Sequence, residues 1–439
     1  MSLFIYIICL SCVQVISNYT YYEVTAFSNH ERELLYYMLE SETHKYAYFL
    51  NGITNEASTS MDVVVDSCCT QDFEEALLKF DIDFSSDKIN VPYLYNGSTH
   101  ILNQQNVLKT FLNWHDILMW VDNKVRLNTV LTKTVIAKTC EHRDVFVLKL
   151  STEKSGKKMA VFIAAGEEGR DWLSSALILS YIDRILESSG SPQSLLNDYD
   201  IYFVPILNPD GFVYTKTKDR MWAKNRKIIK PTQTCETHEA AVGVNLDRNW
   251  FSEISGNIQS AKSACYSIYP GSKALSEEET QGLSYILNSI ALKLLAFINL
   301  RGFANLITIP YAYNKEMSTN NKIVMEIMKH TSAVLKIEYN KSFPVGTTSS
   351  YFYNYSGNMP DWVKSKLNIP IVFTAYMQHN NFLPEESDIV PLTDQLDSLL
   401  NISLVLSKQI YGSLYNNQSK KTSVFILIKI SFICIVRFL

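Results

Sequence analysis

Two loops that follow apolar strands carry the side chains most able to do chemistry. Residues 163–172 read Ile-Ala-Ala-Gly-Glu-Glu-Gly-Arg-Asp-Trp and offer the carboxylates of Glu168 and Asp171. A second apolar run leads to Arg301. Carboxylates can ligate a metal or transfer protons, whereas a guanidinium stays protonated and has no lone pair to offer a metal. Arg301 is therefore excluded as a metal ligand.

The sequence shows no other familiar catalytic pattern. It contains no G-x-S-x-G elbow, no Walker loop and no Cys/His zinc cluster. His30 and Glu33 form an H-x-x-E, but they fall in a predicted helix beside other charges, which favours a solvated face over a ligand pair.

The elements that position the two loops follow an α/β pattern from about residue 106 to 415. Apolar strands are predicted at 159–164, 201–205, 294–299 and 369–374, and helical stretches such as 173–181 alternate with them. Strands that are apolar throughout are covered on both faces, so the pattern predicts a mixed, largely parallel sheet flanked by helices. Functional loops of such sheets lie at the carboxyl ends of the strands.

Residues 18 to about 105 have a different pattern. Strand-like runs at 22–27 and 61–65 alternate with helical runs at 31–39 and 73–80, in roughly a βαββαβ order. This order predicts a small α+β domain of the ferredoxin-like type ahead of the α/β domain.

Residues 163–172 and 205–226 together resemble the zinc carboxypeptidase A/B family. The second segment reads Pro-Ile-Leu-Asn-Pro-Asp-Gly-Phe from residue 205 and Asp-Arg-Met-Trp-Ala-Lys-Asn-Arg from residue 219. The resemblance implies a carboxypeptidase-like fold over 106–415 and a prodomain over 18–105. Prodomains of this family cap the active-site mouth until the chain is cut at basic residues. Residues 90–108 contain no Lys or Arg, so we expect the cap to stay attached.

By this resemblance, the family's three zinc ligands fall on Glu168, Asp171 and Arg301. The family's loop reads G-x-H-A-R-E-W, so Glu168 replaces a histidine and Asp171 a glutamate, while Arg301 replaces the second histidine. A cation in that position predicts that the chain has no metal cofactor. We expect Arg301 to bridge Glu168 and Asp171 with charge-assisted hydrogen bonds. If the register is misplaced, zinc is the expected cofactor.

The resemblance also predicts that the catalytic positions are degenerate. The family's general base falls on Tyr376, a phenol with an ordinary pKa near 10 that cannot activate water at neutral pH. The arginine that polarises the scissile carbonyl falls on Ala223, which removes an electrophile.

Six positions match or border the family's substrate contacts. They are Arg170, Arg220, Asp247, Arg248, Tyr353 and Pro360. Arg248 matches the clamp for a terminal carboxylate, but Asp247 precedes it and competes for its guanidinium. Tyr353 matches the mobile tyrosine, and Pro360, at the specificity position, argues against a pocket for basic side chains.

Composition indicates a globular, exported protein. The chain has 439 residues, 47% of them hydrophobic, and a formal net charge of -4, so no broad basic field points to nucleic acid. Residues 1–17 form an apolar run with a small-residue end, as in a signal peptide, although a buried N-terminal helix is the alternative. Glycosylation sequons occur at Asn18, Asn96, Asn340, Asn354, Asn401 and Asn417.

Export makes disulfides possible. The resemblance implies one between Cys235 and Cys265. Cys68 and Cys69 are adjacent, which is poor geometry for a mutual bond, and Cys140 is either a buried thiol or a partner for one of them.

Within the tail, residues 416–439, the apolar stretch 423–439 is shorter than the about 20 residues that a membrane span needs, and Lys429 and Arg437 interrupt it. A lipid-anchor signal and a peripheral amphipathic segment remain alternatives.

We therefore predict a secreted carboxypeptidase A/B-like pseudoenzyme that binds a peptide or protein ligand, with membrane association through the tail as an open alternative. The other hypothesis is an active zinc metallocarboxypeptidase that removes C-terminal residues.

Overall fold

The computed structural model describes residues 17–40, 47–49, 59–91, 109–152, 158–187, 191–235, 240–250, 263–302, 304–314, 320–377 and 384–416. The predicted signal peptide, apart from Ser17, lies outside these residues, as do the connector from 92 to 108 and the tail beyond 416.

A small antiparallel sheet forms the N-terminal region. Its strands and helices are β1 (Ser17–Ala26), α1 (Asn29–Glu40), β2 (Ala47–Phe49), β3 (Thr59–Asp66), α2 (Thr70–Lys79) and β4 (Asp83–Val91). The sheet has the order β2-β3-β1-β4, and β1 pairs with both β3 and β4. The predicted βαββαβ order is confirmed.

The strands of the main region form an eight-stranded sheet and a short hairpin. They are β5 (Leu131–Lys138), β6 (Asp144–Leu150), β7 (Met159–Ala164), β8 (Tyr199–Val204), β9 (Ile228–Thr234), β10 (Ala240–Val242), β11 (Leu294–Arg301), β12 (Asn305–Ile309), β13 (Val345–Thr347) and β14 (Ile371–Met377). The large sheet has the order β13-β12-β14-β11-β7-β8-β6-β5, and its central strands β14, β11, β7 and β8 run parallel. This confirms the mixed, largely parallel α/β sheet.

Helices cover both faces of that sheet. They are α3 (Trp114–Leu127), α4 (Trp172–Glu187), α5 (Ser191–Asp198), α6 (Pro209–Thr217), α7 (Glu278–Ile290), α8 (Asn321–Tyr339), α9 (Thr348–Tyr351), α10 (Met359–Leu367) and α11 (Ile389–Asn416). Strand β7 alternates between the two cores, because Val161 and Ile163 pack with α4 residues such as Leu177, while Phe162 packs with Leu283 of α7.

Helix α11 belongs to the core although it is long and apolar. By length and composition, the segment Glu386–Tyr411 could cross a membrane, but half of an apolar 18-residue window within it is buried. Leu392, Leu396 and Leu399 pack in the core on the α4 side of the sheet. Burial of this kind is typical of a core helix in a globular protein.

The disulfide implied between Cys235 and Cys265 is present, with the two Cα atoms 5.7 Å apart. Cys140 is an exposed thiol that donates to Asp210 Oδ2 over 3.3 Å, so the alternative of a buried thiol is wrong.

Candidate active site at the carboxyl ends of β7, β11 and β14

The predicted site residues meet where three parallel strands end. The loop after β7 carries Glu168, β11 ends at Arg301, and Arg301 lies opposite Tyr376 of β14 in the strand register. The loop after β7 turns sharply at Gly166, whose φ of +66° favours glycine. A Cβ on Gly169 would lie 2.4 Å from Gly211, so this loop also needs a glycine to approach α6.

Arg301 is held by a cluster of carboxylates. Its Nη2 lies 2.9 Å from Glu168 Oε1, and its Nη1 lies 3.1 Å from Asp247 Oδ1 and 3.4 Å from Glu167 Oε2. Burial alone would lower the pKa of Arg301, but Asp247, Glu168 and Glu167 outweigh it and raise that pKa well above its ordinary value. We call Arg301 and these three residues the Arg301 cage.

The carboxylates of the cage differ in protonation. Burial opposes ionisation of Glu168, but Arg170, 2.7 Å away, and Arg301 lower its pKa to about 2. Glu167 lies deeper and accepts from Asn299 over 2.9 Å. Burial and the Asp247 charge raise the pKa of Glu167 to about 8. The cage thus holds a fixed Glu168 carboxylate and a Glu167 carboxyl that retains a proton at neutral pH.

Arg301 was predicted to contact both Glu168 and Asp171. The contact with Glu168 is present, but the predicted contact with Asp171 is wrong. Asp171 Oδ1 accepts the amide of Ser174 over 3.1 Å at the start of α4, and Oδ2 accepts the amide of Gly302 over 3.0 Å. The Asp171 carboxylate is therefore a hydrogen-bond acceptor for two backbone amides, one of them at the start of α4. The second carboxylate that contacts Arg301 is that of Asp247, which the resemblance placed before the clamp residue Arg248.

The second arginine of the cleft, Arg248, is also engaged. It forms a short hydrogen bond with the Asp247 carboxylate, donates to the Tyr353 hydroxyl over 3.0 Å, and lies 3.7 Å from the centre of the Tyr355 ring. Asp247 is thus shared between Arg248 and Arg301, and an incoming carboxylate has to compete with it.

A cleft of about 780 Å³, counting the space at its open mouth, joins these groups. The predicted residues that line it are Glu168, Arg170, Ala223, Asp247, Arg248, Arg301, Tyr353 and Tyr376. Asp171, Arg220 and Pro360 are not among its described lining residues. Pro360 is buried in the first turn of α10.

Arg220 supports the cleft from behind. Its guanidinium carbon lies 3.7 Å from the centre of the Trp172 ring, and it donates to the Arg170 carbonyl over 2.7 Å. Burial lowers the pKa of Arg220 to about 9. Arg220 is therefore a packing residue under the Arg170 loop in this structure.

The sequence analysis missed several residues of the site, among them Glu167, Tyr355, Tyr48 and Phe49. Glu167 and Tyr355 neighbour predicted residues, one and two positions away, so their sequence positions were the available signal. Tyr48 and Phe49 come from β2 of the N-terminal region and line the cleft. Tyr48 also donates to Asp219 over 3.1 Å, and the Tyr36 ring lies 4.6 Å from that of Tyr353.

The three residues at the predicted ligand positions are engaged with other groups in place of a zinc ion. Both Glu168 oxygens accept from guanidinium groups, one from Arg170 and one from Arg301. Both Asp171 oxygens accept from backbone amides, and a guanidinium has no lone pair. A metal at this point would require these contacts to be replaced.

Residues 117–396 match the family model described as zinc carboxypeptidase. Bovine (Bos taurus) carboxypeptidase O is 26% identical over 296 residues, which cover 65% of this chain and 76% of the relative. Rat (Rattus norvegicus) carboxypeptidase A2 is 30% identical over 289 residues, covering 64% of this chain and 66% of the relative.

Solved structures share the fold. The chain superposes on thrombin-activatable fibrinolysis inhibitor with a TM-score of 0.77 at 22% identity, covering 90% of this chain and 100% of that one. The bovine form of that protein, solved in complex with tick carboxypeptidase inhibitor, gives a TM-score of 0.62 at 27% identity, covering 69% of this chain and 99% of that one.

These matches correct the prediction that the chain has no cofactor, because the matched family is one of zinc enzymes. The carboxylates of the Arg301 cage are paired with guanidinium groups, so the groups at this position do not fit the zinc ion of the family. With its family model, its relatives and its fold in agreement, this chain belongs to the zinc carboxypeptidase family.

Proposed function

We propose that this protein binds a peptide or protein segment in the cleft without hydrolysing it, as a regulatory or binding member of its family. The observation that carries the proposal is the Arg301 cage, which commits a permanent cation and its carboxylate partners to one another at the catalytic end of the sheet. Groups that neutralise each other in this way contribute little to activating water.

The two positions assigned to catalysis support the same proposal. Burial, with the charges of Asp247 and Glu168, raises the pKa of Tyr376 above its ordinary value of 10, although Arg301 opposes the shift. The phenol is therefore neutral at physiological pH and cannot act as a general base. Ala223 lines the cleft without a donor for a developing oxyanion.

The walls of the cleft suit a peptide. The lining includes the aromatic rings of Phe352, Tyr353 and Tyr355 and the guanidinium groups of Arg170 and Arg248. Apolar surface with a few polar groups is typical of ligand sites. A structural relative was solved with a protein inhibitor, which supports a peptide or protein ligand here.

We further propose that residues 18–105 remain attached as a cap over the domain spanning 106–415. Tyr48 and Phe49 lie in the cleft wall, and Tyr19 and Tyr48 both donate to Asp219, over 3.2 and 3.1 Å. A ligand therefore competes with, or binds beside, this N-terminal domain.

Secretion is part of the proposal. The Cys235–Cys265 disulfide supports an oxidising compartment, and two sequon residues, Asn340 and Asn354, are exposed. The relatives named above are carboxypeptidases of the same family. Association of the tail with a membrane stays a prediction outside the described residues.

The test combines binding with hydrolysis. A library of short peptides is screened for binding by fluorescence polarisation, and each binder is incubated with stoichiometric protein, with added zinc or with a chelator. We expect binding and no release of the C-terminal residue. Arg248→Gln weakens binding under this proposal, whereas Lys329→Met, at an exposed position of α8, leaves it unchanged.

An active zinc carboxypeptidase is the second candidate, favoured by the family match. Release of C-terminal residues that zinc restores and a chelator abolishes would establish it. Absence of both binding and release across the library would contradict the proposed binding function.

A further inference from the structure

A pair of adjacent thiols lies at the turn between β3 and α2, apart from the described cleft lining. The Sγ atoms of Cys68 and Cys69 are 2.7 Å apart, Cys68 is exposed, and Cys69 is half-buried. Side chains of consecutive residues in a strand point to opposite faces, so a specific turn is needed to bring both sulfurs together.

The turn is fixed by hydrogen bonds around Asp66. The Cys68 amide donates to Asp66 Oδ1 over 3.0 Å, and the Cys69 amide donates to the Asp66 carbonyl over 2.9 Å. The Cys69 carbonyl then accepts the Phe73 amide over 3.1 Å, so Cys69 is the N-cap of α2. Both residues are thus held between a strand and a helix, and the sulfurs face each other within that frame.

We propose that Cys68 and Cys69 form a reversible vicinal disulfide by exchange with a low-molecular-weight disulfide such as oxidised glutathione. One cysteine, as its thiolate, attacks a sulfur of oxidised glutathione, forming a mixed disulfide and releasing one glutathione thiolate. The neighbouring cysteine then attacks the protein sulfur of the mixed disulfide and releases the second glutathione. The protein dithiol loses two protons and two electrons, and one oxidised glutathione becomes two reduced molecules.

Reversibility follows from backbone geometry. Cα atoms of consecutive residues are about 3.8 Å apart across a trans peptide, shorter than the roughly 4.4–6.8 Å usual for a disulfide. The strained bond is therefore easily reduced. The Cys235–Cys265 pair, with Cα atoms 5.7 Å apart, lies within the usual range.

Exchange should be slow at neutral pH and faster at higher pH. Burial, a hydrogen bond with Cys69 and the nearby Asp66 carboxylate all raise the pKa of the Cys68 thiol. Because the thiolate is the attacking species, its small population at neutral pH limits the rate without changing the product.

The test follows each cysteine in the full-length protein. The reduced protein is equilibrated in glutathione buffers of increasing oxidised fraction, quenched with acid, alkylated with N-ethylmaleimide and digested with trypsin. The peptide 46–79 contains Cys68 and Cys69 and no other cysteine. As the oxidised fraction rises, we expect the doubly alkylated peptide to be replaced by a peptide without alkyl groups. The mass of that peptide should be two hydrogen atoms below that of the unalkylated dithiol, with no glutathione adduct at the end point.

Cys140 provides the internal control, since its peptide 139–143 has a single cysteine that cannot close a ring with a neighbour. Cys140→Ser should leave the Cys68–Cys69 titration unchanged, while Cys68→Ser should abolish ring closure. In urea the pair should need roughly tenfold more oxidised glutathione, because the turn no longer aligns the sulfurs.

Three results would overturn the proposal. They are alkylation of both cysteines across the whole titration, a persistent glutathione adduct or intermolecular crosslink at this pair, and an identical titration in urea. The proposal does not depend on the proposed function of the cleft.

Discussion

Two clusters of buried carboxylates in this molecule are neutralised in different ways. At the cleft, Glu168 and Asp247 contact the guanidinium of Arg301. At the start of α7, Glu277 and Glu279 contact the side-chain amide of Asn225, over 2.8 and 3.4 Å, and Lys227 lies 3.3 Å from Glu277. Both clusters bring acidic groups together at buried positions.

The difference appears in the protonation of the two clusters. Paired guanidinium groups lower the pKa of Glu168 to about 2, against burial. Burial, with charge from Glu277 and Asp210 and despite a backbone hydrogen bond, raises the pKa of Glu279 to about 8. Glu279 therefore retains a proton at neutral pH, as Glu167 of the cage does. Glu168 stays ionised because Arg170 and Arg301 pair with it, and because Arg301 contacts three carboxyl groups of the cleft, its replacement should have the largest effect.

Arg301→Met should lower the free energy of unfolding more than any other substitution considered at the two clusters. The change keeps much of the side-chain volume but leaves buried carboxylates without their cation, and we expect a loss of about 3–5 kcal/mol in the free energy of unfolding. Urea unfolding followed by circular dichroism measures it. Lys329→Met is the control, because its ion pair with Glu326 is exposed and should be worth less than about 1 kcal/mol. Equal losses in the two variants would refute the importance of the cage.

Glu168→Gln should rank second, at about 1.5–3 kcal/mol, because it removes a carboxylate paired with both Arg170 and Arg301. Since the pKa of Glu168 is lowered from 4.5 to about 2, its stabilisation is present above pH 4.5 and is lost as pH falls towards 2. Between pH 4.5 and about 2, the free energy of unfolding should therefore fall less in the variant than in the wild type. An unchanged acid-unfolding profile would contradict the assigned ionisation.

Asp171→Asn should cost less, about 1 kcal/mol, because asparagine can still cap α4 and loses one of two backbone contacts. The comparison with Glu168→Gln separates a backbone acceptor from an ion-pair partner. A loss as large as that of Glu168→Gln would mean that Asp171 pairs with Arg301 after all.

Glu279→Gln should have the smallest effect near pH 4, below the ordinary pKa of 4.5, where the acid is largely neutral in both the folded and the unfolded chain, like the amide that replaces it. The stabilisation linked to a raised pKa is fully present below the ordinary value of 4.5 and is lost as pH rises towards about 8. The variant should therefore remove a slope of about 1.4 kcal/mol per pH unit from that window. Urea unfolding at several pH values checks this, and parallel curves for the two proteins would disprove it.

The sequence allowed prediction of the site residues that lie at the ends of strands. Glu168 and Arg301 follow neighbouring parallel strands, and the family pattern aligned them, so their contact could be expected. The role of Asp171 could not be predicted, because its carboxylate accepts from backbone amides, and the position of the Gly302 amide depends on how the chain leaves β11. Asp247 lies in a short 3-10 helix, Leu246–Arg248, whose place beside Arg301 a strand pattern does not define.

The resemblance implied that the N-terminal region caps the cleft, but the residues by which it does so could not be predicted from the sequence. The βαββαβ order of strands and helices follows from residue periodicity, but the docking of β2 does not, and that docking places Tyr48 and Phe49 in the cleft wall. Adjacency predicted poor geometry for a bond between Cys68 and Cys69, and the two are not disulfide-bonded in this structure. The sequence did not indicate that the turn at Asp66 brings their Sγ atoms to 2.7 Å from each other.

The most direct test of the central claim is a single-turnover hydrolysis assay on a bound peptide. The protein, in excess and supplied with zinc, is incubated with a C-terminally labelled peptide that it binds, beside the same peptide without protein. Our account predicts that the labelled residue is released at the same rate in both samples. Faster release with the protein, abolished by a chelator, would contradict it.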